Sequence, residues 1–138
     1  MRAFTYWLGA ALLTITPLVQ AQQPAYALAL TEPDQELDDF TYRFASTHSI
    51  SARMRGVRGN NNTVYWVSAD RKQLTAYKQG QQVWQANVSQ AFAKVLPGAR
   101  IKRMVLSSGF LFIFTDRRGH AEIDRSTGNV SAVGVDPN

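Results

Sequence analysis

The chain has 138 residues, a formal net charge of +5 and no cysteine. This length suits one domain, and the missing cysteine excludes disulfides, thiol chemistry, a cysteine-ligated zinc site and lipid attachment at a cysteine. For an exported domain, which the N-terminal pattern described next predicts, the lack of disulfides is typical of the bacterial periplasm, so we expect a Gram-negative source.

The N terminus has the pattern of a secretory signal. Arg2 precedes an uncharged apolar run over residues 4–15. That run is too short for a membrane-spanning helix of about 20 residues and fits a signal core of about 7 to 15 residues. Pro17 ends the run, and we expect cleavage after Ala21 and a periplasmic or secreted product. Cleavage after Ala27 and an uncleaved anchor are open alternatives.

Charge divides the remaining chain into two parts. Residues 22–39 contain five Asp or Glu and no Lys or Arg, whereas residues 43–138 carry 14 Lys or Arg against 5 Asp or Glu. Pro24 and Pro33 make the first part an arm or a sheet edge. The expected organisation is a signal peptide over 1–21, an acidic arm over 22–39 and one β domain over 40–138. Either the arm neutralises the basic body, or that body faces an anionic partner.

Alternating or continuous apolar residues predict a mainly β fold. Strands are expected over 40–44, 50–54, 64–67, 74–77, 83–88, 101–106, 110–115, 121–124 and 130–135, with a possible first strand over 26–30 and a turn over 56–63. Residues 64–67 should be buried on both faces, and the phenylalanine-rich run over 110–114 should be a central strand. One short helix is predicted over 89–96, capped by Ser89 and ended by Pro97.

Two stretches of the chain resemble each other with a period of roughly 47 residues. Residues 64–84 and 111–130 share the order strand, Asp-Arg turn, strand, glycine turn and strand, with Asp70 and Gly80 matched by Asp116 and Gly128. The second copy lacks a counterpart of Trp84 and has Ala132 or Val133 near that position. This order resembles a blade of the pyrroloquinoline-quinone-type β-propeller repeat. The resemblance implies antiparallel meanders and no quinone site. A closed propeller needs about four to eight blades, so the fold class expected is a small sandwich or a two-blade, partial-propeller-like sheet.

Catalytic signatures are few. His48 lies in a polar stretch predicted to be a surface turn, and no carboxylate stands at a spacing that indicates a metal pair. His120 has Glu122 on the same face of its strand, and Asp116 and Asp124 are near in sequence. One histidine and one carboxylate do not complete a metal site, and no nucleophile motif is present. We expect no cofactor and no metal, with a small hydrolase or carbohydrate-active enzyme as the alternative.

Three sets of basic residues are the candidate binding patch: Arg53, Arg55 and Arg58; Lys102 and Arg103 beside Arg100; and Arg117 with Arg118. Arg53 and Arg55 should share a strand face opposite Ile50, Ala52 and Met54. Arginine binds carboxylates and phosphates through two parallel hydrogen bonds. We therefore expect a non-enzymatic interaction module that binds another envelope protein. Another anionic ligand remains open, and nucleic acid is the least favoured partner.

Overall fold

The computed structural model describes residues 25–34, 47–60 and 62–137. The predicted signal peptide and the strand predicted over 40–44 lie outside these residues. The described strands are β1 (Thr31–Pro33), β2 (His48–Ser49), β3 (Gly56–Arg58), β4 (Thr63–Val67), β5 (Gln73–Lys78), β6 (Gln81–Asn87), β7 (Ile101–Leu106), β8 (Phe110–Thr115), β9 (Gly119–Asp124) and β10 (Val130–Val135). One α-helix, α1, spans Val88–Ala91, and short 3₁₀ turns span Leu28–Leu30 and Asp116–Arg118.

These strands form two five-stranded sheets. The first sheet has the order β1-β3-β4-β5-β6, and the second has the order β10-β9-β8-β7-β2. All neighbours are antiparallel except β1, which runs parallel to β3. The prediction of a mainly β fold with antiparallel meanders and one short helix is confirmed, and the two sheets form a small sandwich. The described residues include no helix with the length and hydrophobicity needed to cross a lipid bilayer.

The core lies between the two sheets. The first sheet contributes Tyr65, Val67 and Leu74, among others, and the second contributes Ile101, Leu111 and Ile113. The strand over 110–115 is β8, which is central in its sheet, as its apolar run predicts. Alternation along β8 sends Leu111 and Ile113 into this core and directs its phenylalanines outward.

The outer face of the first sheet is covered by the chain itself. Val64, Trp66 and Tyr77 form a second apolar cluster there, and Tyr26 and Leu30 pack against it. The ring centroid of Tyr26 lies 5.1 Å from that of Tyr77 and 6.3 Å from that of Trp66. Residues 64–67 are therefore buried on both faces, as predicted. The segment before β1 is a cover for this sheet.

Both copies of the internal repeat fold as meanders, and a tryptophan joins them. The indole nitrogen of Trp84 in β6 donates to the carbonyl of Arg125, 2.8 Å away, in the turn between β9 and β10. Gly128 in the same turn has φ +77°, and a Cβ built on it would lie 2.6 Å from the indole ring. Glycine thus serves both the left-handed backbone and the close approach of the ring.

Several local predictions are wrong. Residues 50–54 form a turn rather than a strand, because the Ser51 hydroxyl accepts from the N–H groups of Arg53 and Met54 and so competes with a sheet ladder. Part of the turn predicted over 56–63 is strand β3. The helix is one turn long, and its cap is Asn87, whose side chain accepts from the N–H of Gln90 at 3.0 Å. The apolar piece over 26–30 contains a 3₁₀ turn, and β1 follows it at the sheet edge expected for Pro33.

Candidate functional site

The second sheet presents a row of aromatic side chains on its outer face. Phe110, Phe112 and Phe114 of β8 point outward together with Arg103 and Val105 of β7, which pair with Phe114 and Phe112. We call these five residues the phenylalanine face. Phe110 is 40% exposed, and Phe112, Phe114 and Val105 are half-buried. A contiguous row of partly exposed rings on an otherwise polar surface is a feature of protein-binding sites.

Charges of both signs lie beside the rings of the phenylalanine face. On the β7 side, the guanidinium of Arg103 lies over the Phe114 ring at 5.1 Å. On the β9 side, Glu122 is paired with Phe112 in the sheet register and is half-buried. Neither Arg103 nor Glu122 forms an ion pair with another residue in the described part of the chain. The face therefore combines an apolar centre with a free positive group and a free negative group on opposite sides.

The predicted basic patch is distributed over both sheets. Arg53 lies in the turn before β3, Arg58 ends β3, and Lys102 and Arg103 belong to β7. These four side chains are exposed, and none of them pairs with a carboxylate of the described residues. The ladder predicted for Arg53 and Arg55 is wrong, because no strand carries both residues. Whether these four residues bind a partner remains a prediction.

The other basic candidates take part in intramolecular contacts. Arg55 stacks over the Trp66 ring at 4.4 Å and donates from Nε and Nη2 to the carbonyl of Val67. Arg117 donates to the carbonyl of Pro97 at 2.6 Å, and Arg118 donates to that of Pro137 at 3.2 Å. These guanidinium groups hold the outer cluster of the first sheet, the segment after α1 and the C-terminal end.

His48 joins the outermost strands of the two sheets. It is buried in β2, and its ring nitrogens Nδ1 and Nε2 lie 2.5 Å from Glu32 Oε1 and 2.8 Å from Asp34 Oδ1. A carboxylate only accepts hydrogen bonds, so the ring satisfies both partners when both nitrogens carry a proton. The expected surface turn at His48 is wrong. The acidic arm is held here by a histidine, through two of its carboxylates.

A groove of about 410 Å³ adjoins this cluster. It lies between the segment that covers the first sheet and the β3–β4 turn, and its walls include Tyr26, Asp34, Arg58, Asn60 and Asn62. Asp34 thus contacts His48 on one side and lines the groove on the other. The groove is lined by both the guanidinium of Arg58 and the carboxylate of Asp34, so it carries charges of both signs.

The carboxylates expected beside His120 are placed differently. Asp116 accepts from the N–H of Arg100 at 2.9 Å, and Asp124 accepts from Ser126 and Thr127 within its own turn. The nearest carboxylate is that of Asp136, whose Oδ1 lies 3.1 Å from His120 Nδ1 without hydrogen-bond geometry. Glu122 shares the face, as the strand period predicts. Over 25–34, 47–60 and 62–137, no three His, Asp or Glu side chains form a group that could hold a metal ion.

Two carboxyl groups in turns, those of Asp70 and Asp124, have lowered pKa values. The Ser68 hydroxyl and then the Lys72 N–H donate to Asp70, and these bonds hold the pKa of its carboxyl below the ordinary value of 3.8. The Ser126 hydroxyl and then the Ser126 N–H lower the pKa of Asp124 in the same way. Both carboxylates act as acceptors that fix the turns after β4 and β9.

Comparison with known proteins matches no family model and no curated protein. The residues themselves define the class: a mainly β sandwich with one outer face covered by its own chain and the other presenting aromatic rings between opposite charges.

Proposed function

We propose that this protein is an exported, non-enzymatic interaction module that binds another protein of the bacterial envelope through the phenylalanine face. The single observation that supports this most is the contrast between the two outer faces. Tyr26 and Leu30 cover the apolar cluster of the first sheet, whereas Phe110 on the second sheet is left 40% exposed among the described residues. A partner protein would cover the rings of the second sheet in the same way that Tyr26 and Leu30 cover the apolar cluster of the first.

The charges favour a protein over a polyanion. Nucleic acid and lipid phosphate attract positive groups and repel carboxylates. Here Glu122 borders the rings on one side and Arg103 on the other. A protein surface with an apolar centre, an acidic group facing β7 and a basic group facing β9 would match both. Such a module suits an accessory subunit of a secretion, pilus or transfer assembly, or an inhibitor of an exported protein.

The enzymatic alternative has less support. It requires His120 to face a carboxylate and a substrate pocket. Asp116 accepts from the N–H of Arg100, and Asp124 accepts from Ser126 in its own turn. His120 lines neither the groove beside His48 nor the shallow depression of about 340 Å³ near α1.

The test compares charge and ring variants in affinity capture from the native envelope. Arg103→Glu and Phe112→Ser alter the phenylalanine face, and Lys78→Glu makes the same charge change on an exposed residue of the first sheet. We expect wild type and Lys78→Glu to retain the same protein and the two face variants to lose it. Identical captured proteins from all four, with unchanged circular dichroism, would overturn the proposal, as would capture of nothing by the wild type.

A further inference from the structure

The edges of the two sheets differ in how they are protected. An edge strand exposes unpaired N–H and C=O groups and invites another strand, and proteins usually block this with short strands, charges or proline. β1 is three residues long and contains Glu32 and Pro33, and β2 is two residues long. Among the described residues, the other edges are β6 and β10.

β10 lacks the charges and the proline, and its one irregularity is a register shift between Val130 and Ala132, at its start. Its six residues, Val130 to Val135, include no charged residue and no proline. Val133 and Val135 pair with Ala121 and Gly119, whose positions face the core, yet they remain 37% and 41% exposed. Valine has high strand propensity. Among the described residues, β10 is therefore an apolar, strand-forming edge that no other strand pairs with, although α1 lies close to it.

β6 differs in chemistry although it is also uncharged. Four of its seven residues are Gln or Asn, and Val83 is its one strongly exposed apolar side chain. A mostly amide edge gains little from burial, because its side chains are already well solvated. β6 therefore provides a natural control for β10.

We propose that two copies of this chain associate by antiparallel pairing of β10 with its symmetry mate, which forms one continuous ten-stranded sheet. A twofold axis perpendicular to the sheet at Val133 places Val133 opposite its own copy and Ser131 opposite Val135. The strand is then complementary to itself, as an isologous interface requires. The chain has a net charge of +5, so two copies repel in general, and an uncharged edge lets them meet without opposed cations.

The dimer would also strengthen binding of the partner, a step that rests on the proposed function. This axis keeps the outer faces of both copies on the same side of the joined sheet, so the dimer presents two phenylalanine faces in one plane. A partner assembly with repeated subunits would then be bound with avidity.

The test uses analytical ultracentrifugation and single-cysteine variants, which are unambiguous because the chain has no native cysteine. We expect wild type and Val83→Lys to dimerise with increasing concentration and Val133→Lys to remain monomeric with an unchanged circular dichroism spectrum. Because Val133→Lys could fail to fold, Val133→Cys gives a second readout: it should form an intermolecular disulfide on oxidation much faster than Val83→Cys, since directly opposed Cβ atoms lie about 4.5–5.5 Å apart.

A wild-type protein that stays monomeric at all concentrations overturns the proposed pairing, and so does a dimer that Val133→Lys leaves intact with equal oxidation of the two cysteine variants. A monomer that still captures its envelope partner would overturn only the dimer. A dimer that captures nothing would overturn only the proposed function.

Discussion

Removing the ring of His48 should destabilise the sandwich more than any single change at its two carboxylate partners. The His48 side chain is 2% exposed and that of Asp34 is 11% exposed, whereas Glu32 is 44% exposed. Breaking a buried pair by removing one partner costs about 3–5 kcal/mol, because the other charge is left uncompensated, while half-exposed pairs contribute about 0–1 kcal/mol. The Asp34 contact should therefore account for most of the effect.

The variant is His48→Leu, which keeps a side chain of similar volume and removes both ring nitrogens that contact the carboxylates. We expect a loss of about 3–5 kcal/mol in the free energy of unfolding. Asp34→Asn keeps an acceptor without the charge and should cost about 1–2 kcal/mol. Glu32→Gln should change stability by less than about 1 kcal/mol.

Urea unfolding at neutral pH measures these differences by linear extrapolation. A His48→Leu variant as stable as wild type would contradict this prediction, since it would show that the ring contributes volume alone. So would a Glu32→Gln variant that loses more stability than Asp34→Asn, because the exposed carboxylate would then be the dominant partner.

Two further predictions concern turns. Gly128→Ala and Gly80→Ala both place a side chain at φ near +77°, which costs about 1–2 kcal/mol, but the new Cβ also meets Trp84 only at Gly128. Thermal unfolding should therefore show Gly128→Ala less stable by a further 1–3 kcal/mol or so; equal losses would contradict the packing of Trp84. Asp124→Asn should lower stability at neutral pH, because hydrogen bonds from Ser126 lower the pKa of the folded carboxyl. That contribution is present above pH 3.8 and is lost as the pH falls through the folded pKa, so the two proteins should converge in acid, and a constant gap would contradict it.

The strands that sequence predicts best are those with long apolar runs. The bounds of β7, β8 and β10 agree with prediction, because each has a strong run bordered by turn residues. Residues 50–54 alternate as well, but that pattern is short, and the Ser51 side chain bonds locally to the backbone instead. A short alternation therefore did not distinguish a strand from a turn.

The contacts of His48 were harder to predict, because the residues that meet are far apart along the chain. His48 meets carboxylates 14 and 16 residues away because its strand and theirs end on neighbouring edges of different sheets, which spacing alone does not reveal. Likewise, Arg55 and Arg103 look equivalent in sequence. Arg55 stacks on Trp66 and donates to a carbonyl, whereas Arg103 is exposed and lies over the Phe114 ring. Only the register of the strands separates a structural arginine from a candidate binding arginine.

The phenylalanine face also had a sequence signal that was interpreted only as a strand. The run over 110–114 alternates Phe with Leu or Ile, so any single-sided burial leaves three rings on the other face. What the sequence did not reveal is that the first sheet receives a cover from residues before β1 while the second sheet has none among the described residues.

Photo-crosslinking in the native cell tests the binding face most directly. A photoreactive phenylalanine derivative is placed at position 112, on the phenylalanine face, and in a control protein at position 83, on β6. We expect a light-dependent adduct with one discrete partner from position 112, recovered in the envelope fraction, and no such adduct from position 83. No adduct from position 112, or the same adducts from both positions, would contradict it.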